Sequence, residues 1–299
     1  MNRFLFFLFL VSFGIRSFGG DNDAEEIYQA AKPMIGQESP AASRHLGFGL
    51  MQEAADKGHT KAQSVVGFHF AQGDIFPKDI PKSLIYLQKA ATSGDVFASR
   101  NLRVLCETKG GGAAENRAAA LEALNGAANM GSAAAAAQLG EIYFCGGDGT
   151  QPVDYHLAKK FLHIAAEQSD VQSCNTLGVI YEQGLSGEAD KQKAFVYFEK
   201  AAHGGHAKAQ ASLGFAYAGG DGVENDLIRA YQWFTLSALQ GEVTGKNALG
   251  DFARGLSEVQ IEEGNRLVVE FLQTQGKEIP DHLLQKGDQT PPSPKGGGG

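Results

Sequence analysis

The sequence predicts an all-α protein built as a solenoid of tandem helical hairpins. Three markers that recur in step carry this reading: a small-residue pair, a polar residue eleven positions before it, and a glycine four positions after its first member. The pair reads Ala54-Ala55, Ala90-Ala91, Ala127-Ala128, Ala165-Ala166, Ala201-Ala202 and Ser237-Ala238, with first members 36, 37, 38, 36 and 36 residues apart. The polar residues are Ser43, Asp79, Asn116, Asp154, Asp190 and Asp226, and the glycines are Gly58, Gly94, Gly131, Gly205 and Gly241, with Ser169 in the remaining place. A fixed period in this range marks units that bury their apolar faces by stacking on their neighbours.

Taken from the N-terminus, residues 1–20 read as a secretory signal peptide. Arg3 gives a positive start, Phe4 to Phe13 is an apolar run broken by Ser12, and Ser17-Phe18-Gly19 supplies small residues for cleavage. The run is shorter than the ~20 residues a spanning helix needs, so no stable membrane span is expected after cleavage. No cysteine follows it, which argues against a lipid-anchored bacterial protein. Cleavage takes the net charge from -8 to -10, since Arg3 and Arg16 leave with the peptide.

Residues 21–60 form a degenerate capping hairpin, Asp23 to Met34 and Ser43 to Lys57, interrupted by Pro33 and Pro40. Residues 61–256 hold about five full repeats. In each, the polar marker is expected to cap a second helix, because Ser, Asp and Asn accept hydrogen bonds from free first-turn amides. The glycine ends that helix in the left-handed region. The first helix lies upstream, centred on Val66-Gly67, Leu139-Gly140, Leu177-Gly178, Leu213-Gly214 and Leu249-Gly250, with Phe70, Tyr143, Tyr181 and Tyr217 one turn later. A mid-helix glycine costs ~1 kcal/mol against alanine, so its recurrence predicts a facing helix too close for a side chain. Residues 257–276 read as a closing helix capped by Ser257, and 277–299 as a disordered Pro/Gly-rich tail.

From Ala209 to Gly241 the chain shows Ala209, Leu213-Gly214, Tyr217, Gly220, Gly222-Val223, Asp226, Ala230, Trp233-Phe234, Ala238 and Gly241. This pattern resembles the Sel1-like repeat, a relative of the tetratricopeptide repeat, and residues 172–205 fit almost as well. The resemblance covers about 43 to 257 and implies a right-handed α-solenoid, an α/α superhelix of helix-turn-helix repeats. The unit near 98 to 131 departs from it: Arg103 replaces the glycine and Cys106 the aromatic, which puts its close packing in doubt.

The residues show no catalytic constellation. The acidic balance opposes nucleic-acid binding, which needs clustered Lys and Arg. His59 and His206 occupy equivalent turn positions and read as structural. His156 and His163, two turns apart on one helix, lack further ligands at zinc spacing. The Gly146–Gly149 and Gly219–Gly222 stretches lack the alternating oxygens of a calcium loop and the Gly-Lys-Ser/Thr of a phosphate loop. Cofactors and metals are therefore expected to be absent. Cys106, Cys145 and Cys174 allow at most one internal bridge, with Cys145–Cys174 the conceivable one.

What the resemblance implies is adaptor work: an exported scaffold, periplasmic or secreted, that is expected to be a monomer and to take a protein or peptide partner in its concave groove. By similarity to tetratricopeptide arrays, the groove-facing positions lie two before and two, five and six after the apolar member of each Leu-Gly pair. They yield Phe68, Gln72, Arg100, Glu107, Glu141, Phe144, Asn175, Glu182 and Phe215 as partner-binding candidates, along with Ser64, Ala137 and Ala211. Phe68, Phe144 and Phe215 are the expected anchors, since exposed aromatics in polar surroundings make binding hot spots; the alternative is that twist buries them between units. A second functional reading is a cell-envelope hydrolase, because penicillin-hydrolysing activity is ascribed to cysteine-rich Sel1-like proteins, although this chain lacks their cysteine pair in each repeat. A eukaryotic lumenal adaptor is a third.

Overall fold

The computed structural model describes residues 23–36, 38–108, 113–149 and 151–284. The expected signal peptide at 1–20 and the part of the expected 277–299 tail beyond Leu284 lie outside these residues, whereas 277–284 are described and include a helical turn at Asp281–Leu284. Among the described residues the regular structure is helical, with no strand, and the fold class is the α-solenoid of helix-turn-helix repeats that the sequence predicts. The helices group into two compact units, one ending at Ala165 and the other beginning at Ala166.

The first unit opens with α1 (Asp23–Ala31) and α2 (Ala41–Asp56), followed by the pairs α3 (Thr60–Gln72) and α4 (Ile80–Thr92), α5 (Val96–Glu107) and α6 (Ala113–Asn129), and α7 (Ala133–Cys145) and α8 (Tyr155–Glu167). The second holds α9 (Val171–Gln183) with α10 (Lys191–His203), α11 (Ala207–Gly219) with α12 (Leu227–Leu239), then α13 (Val243–Phe252), α14 (Glu258–Thr274) and the single turn α15 (Asp281–Leu284).

Helix starts follow the acceptor chemistry. Asp79, Asp154, Asp190 and Asp226 accept from the amides of Lys82, Leu157, Lys193 and Arg229 at 2.9 to 3.0 Å, opening second helices. Ser43 and Asn116 do not: both lie inside helices. Pro40 starts α2 with its fixed φ, and the alanine-rich run from Ala113 starts α6 ahead of Asn116. A second set of caps sits directly after the left-handed turn, where His59, Asp95, Ser132, Asp170 and His206 each accept the amide three residues on. Ser169 adopts φ 65°, the same left-handed turn that glycine makes elsewhere.

The mid-helix glycines do what their cost implied. A Cβ on Gly67 would lie 2.7 Å from Leu87, one on Gly140 or Gly178 2.5 Å from Leu162 or Phe198, and one on Gly214 2.6 Å from Phe234. In each case the intruding side chain belongs to the second helix of the same hairpin. The aromatic one turn later stacks on that helix: Phe70 on Tyr86, Tyr143 on Phe161 and Tyr181 on Tyr197, with interplanar angles of 7°, 9° and 1°. Lys82, Lys193 and Arg229, each bound to the capping aspartate three residues before it, lie over Phe70, Tyr181 and Tyr217 at 5.4 to 5.6 Å. One aspartate thus caps a helix and holds a cation on a ring.

The departing unit still packs. Leu102 and Cys106 of α5 and Leu124 of α6 are fully buried, and Arg103 turns aside to bind Glu107 at 2.7 Å.

Gly250 breaks the rule. A Cβ there would meet nothing within 4 Å, whereas one on Gly245 would collide with the Ser237 side chain. The cause is the last helix. Ser257 caps α14 in a reciprocal capping box with Gln260, and α14 packs on α12 rather than closing a hairpin with α13. Tyr231 of α12 presses on Gly264, its hydroxyl donates to Asn265 Oδ1, and Gln232 donates to the Leu267 carbonyl. The far end of α13 is therefore left without the second helix that encloses every earlier glycine.

Candidate functional site

That open end makes a groove. It encloses about 610 Å³ and is lined by Phe215 and Ala218 of α11, Phe234 of α12, and Val243, Thr244, Asn247, Ala248, Asp251 and Phe252 of α13. Phe234 forms its floor and is 1% exposed, while Phe215 stands edge-on above it, centroids 4.9 Å apart, and is 49% exposed. Phe252 meets Phe234 from the other side at 5.4 Å. Val243, 66% exposed, adds an apolar lip.

Of the expected anchors, Phe215 alone lines this groove. Phe68 is half-buried with its ring 5.5 Å from Phe97, and Phe144 is half-buried edge-on to Tyr155 at 5.8 Å. Gln72 and Arg100 are exposed. Glu107 is held by Arg103, whose charge also acts on the half-buried Glu141. In the second unit Asn175 is half-buried and Glu182 exposed. The position two before the leucine is corrected in three repeats. Ser64, Ala137 and Ala211 are buried, and the Ser64 hydroxyl donates to Asp95 at 2.6 Å, so this position faces the neighbouring turn and not solvent.

Val243, Thr244, Asn247 and Phe252 were not among the candidates. Their exposure follows from where α14 lands, which no local pattern announces. The nearest available signal is Gly245, a small residue one turn before the apparent Leu249-Gly250 centre.

Carboxylates and their paired cations flank the groove. Asp251 is its one charged lining residue and pairs with Arg254 at 3.2 Å, both largely in water. The Asp221 carboxylate lies beside Gly219, next to the lining Ala218, and pairs with Lys191. Partial burial pushes the Glu182 carboxyl up, and the Asp221 charge pushes it the same way against an opposing Lys191.

The remaining candidates are structural. His59 and His206 use Nδ1 as helix caps, and their Nε2 atoms reach Glu25 Oε2 at 2.7 Å and Gln172 Oε1 at 3.0 Å. Cys106 and Cys174 are buried free thiols, so Cys174 is not bridged to Cys145; burial pushes the Cys106 thiol up to about 12. Among the described residues no group of three His, Cys, Asp or Glu is set to hold a metal, and no helix is long and apolar enough to cross a membrane.

The Sel1 repeat matches residues 35–59, 60–95, 133–170, 171–206 and 207–242, more than half of the chain. The gap at 96–132 is the unit carrying Arg103 and Cys106. The chain is 33% identical over 168 residues to DAP3-binding cell death enhancer 1 of Rattus norvegicus, covering 56% of this chain and 32% of that protein. It is 31% identical over 130 residues to the alginate biosynthesis protein AlgK of Azotobacter vinelandii, covering 44% and 28%. It thus spans about three-tenths of the length of these relatives. A solved structure of c5321, a protective antigen of uropathogenic Escherichia coli with an SLR fold, superposes with a TM-score of 0.59 at 26% identity, covering 85% of this chain and 55% of that one. Proteins with this repeat are generally interaction scaffolds, and no catalytic family is indicated. With five copies of the repeat over most of its helices, this chain belongs to the Sel1 repeat family.

Proposed function

We propose that the chain is an exported protein–protein interaction scaffold that holds a peptide or extended segment of a partner protein on the faces of its first helices. The observation that carries the reading is the groove at Phe215. A large ring that is 49% exposed stands over an apolar floor, in a chain whose other rings are mostly stacked away. An exposed aromatic over an apolar pocket is the arrangement that binding hot spots favour. The repeat family supports scaffold work, and one of the two relatives is named for binding another protein. Export rests on the sequence of residues 1–20 and is tested by the mass of the mature protein, which should lack about 20 residues.

The site is tested by placing a photo-crosslinking amino acid at Asn247, in the groove, and at Val196, on the outer face of α10. A partner adduct at position 247 that disappears in Phe215→Ala supports the assignment. Adducts of equal yield at both positions, or insensitive to Phe215, would refute it.

A further inference from the structure

We propose that the Phe215 groove selects a partner segment in which one large apolar side chain is flanked by lysine or arginine. The inference rests on the scaffold reading above and adds the chemistry of the partner.

The apolar half comes from the groove itself. Phe215, Phe234, Phe252 and Val243 offer ring faces and a methyl lip but, apart from Thr244, Asn247 and Asp251, few polar groups to satisfy a buried polar side chain. A leucine or aromatic ring fits there without leaving an unpaired donor or acceptor.

The basic half comes from charge placement. The chain's negative charge is not evenly spread: residues 166–284 hold 17 acidic against 9 basic side chains, whereas residues 23–165 hold 15 against 13. Around the groove, Asp251 stands on the α13 side and Asp221 on the α11 side, with Glu182 beyond it. The cations facing them are Arg254 and Lys191, each in a solvent-exposed pair that contributes little, while Glu242 and Lys246 add one charge of each sign at the start of α13. An incoming cation therefore displaces little, and Glu182 forms no ion pair among the described residues. Because the Glu182 carboxyl already feels Asp221, an added positive charge relieves that repulsion, whereas an acidic segment increases it. Complementary charge of this type speeds encounter and rejects wrong partners more than it tightens binding.

The test is selection from a library of random twelve-residue peptides against the full mature protein. It is followed by affinity measurements on enriched peptides with Phe215→Ala, Asn247→Trp and Asp251→Lys. Asn247→Trp fills the groove from an exposed position and so leaves the core intact if Phe215→Ala disturbs it. The expected result is enrichment of an apolar residue beside Lys or Arg. Both groove variants should weaken binding about tenfold, and Asp251→Lys should weaken it less, with a loss that shrinks as salt rises. Enriched peptides that need the groove but are neutral or acidic would overturn the charge inference and leave the scaffold reading standing. Peptides that bind both groove variants undiminished, or no enrichment at all, would overturn both.

Discussion

Phe144 and Phe215 both stand on first helices, five and two residues after the leucine of their repeats, and their surroundings separate them. Phe144 packs edge-on to Tyr155 and is half-buried, so Phe144→Ala should cost about 2 kcal/mol of stability. Phe215 loses mainly its contact with Phe234, so its truncation should cost about 1 kcal/mol while weakening partner capture about tenfold. Urea unfolding of both variants checks the split. The glycines provide a sharper contrast. Gly178→Ala drives a methyl into Phe198 and should destabilise by ~1–3 kcal/mol. Gly250→Ala meets open space in a helix and should stabilise by up to ~1 kcal/mol. His206 gives the molecule a pH dependence. Its Nδ1 accepts the Ala209 amide, so the folded state needs the neutral ring. Burial first, and Lys208 second, hold its pKa below 6.5, with Glu242 opposing them. The unfolded chain therefore binds the extra proton, and stability that is full above about 6.5 is lost as pH falls through the folded value. His206→Asn keeps a capping acceptor and should remove that step from a melting-temperature profile taken between neutral and mildly acidic pH.

At the level of the helix, boundaries are set by a small number of acceptors and one backbone conformation. Ser169 carries the left-handed turn without glycine's freedom and is exposed, so Ser169→Gly should stabilise by about 0.5 kcal/mol, the relief of φ strain less glycine's entropy cost. The midpoint of urea unfolding should rise with its slope unchanged. The period, the capping aspartates and the close-approach glycines were legible in the sequence because each is a local demand that only a few residue types meet. Ser43 and Asn116 misled because a nearby proline or alanine run starts a helix earlier than a polar residue can. His59 and His206 read as structural turn residues but not as caps, because imidazole is an uncommon choice there. The groove was half legible. Phe215 followed from its place in the repeat, but Val243, Asn247 and Phe252 depend on α14 docking against α12, a tertiary event that residue spacing does not encode.

Across the whole chain, labour divides between the two helices of each repeat. Second helices carry the alanine pairs and the side chains that press into the glycines, first helices add the glycines and the buried leucines beside them, and the groove assigned to a partner is lined mainly by the first helices α11 and α13. Acidic charge gathers in residues 166–284, where the last first-helix, α13, lacks an enclosing partner. Hydrogen exchange of the mature protein, free and saturated with a groove-dependent peptide, tests this division most directly. Binding should slow exchange in Ala207–Gly219 and Val243–Phe252 while leaving Lys191–His203 as it was in the free protein. Protection confined to the second helices, or none at α11 and α13, would contradict it.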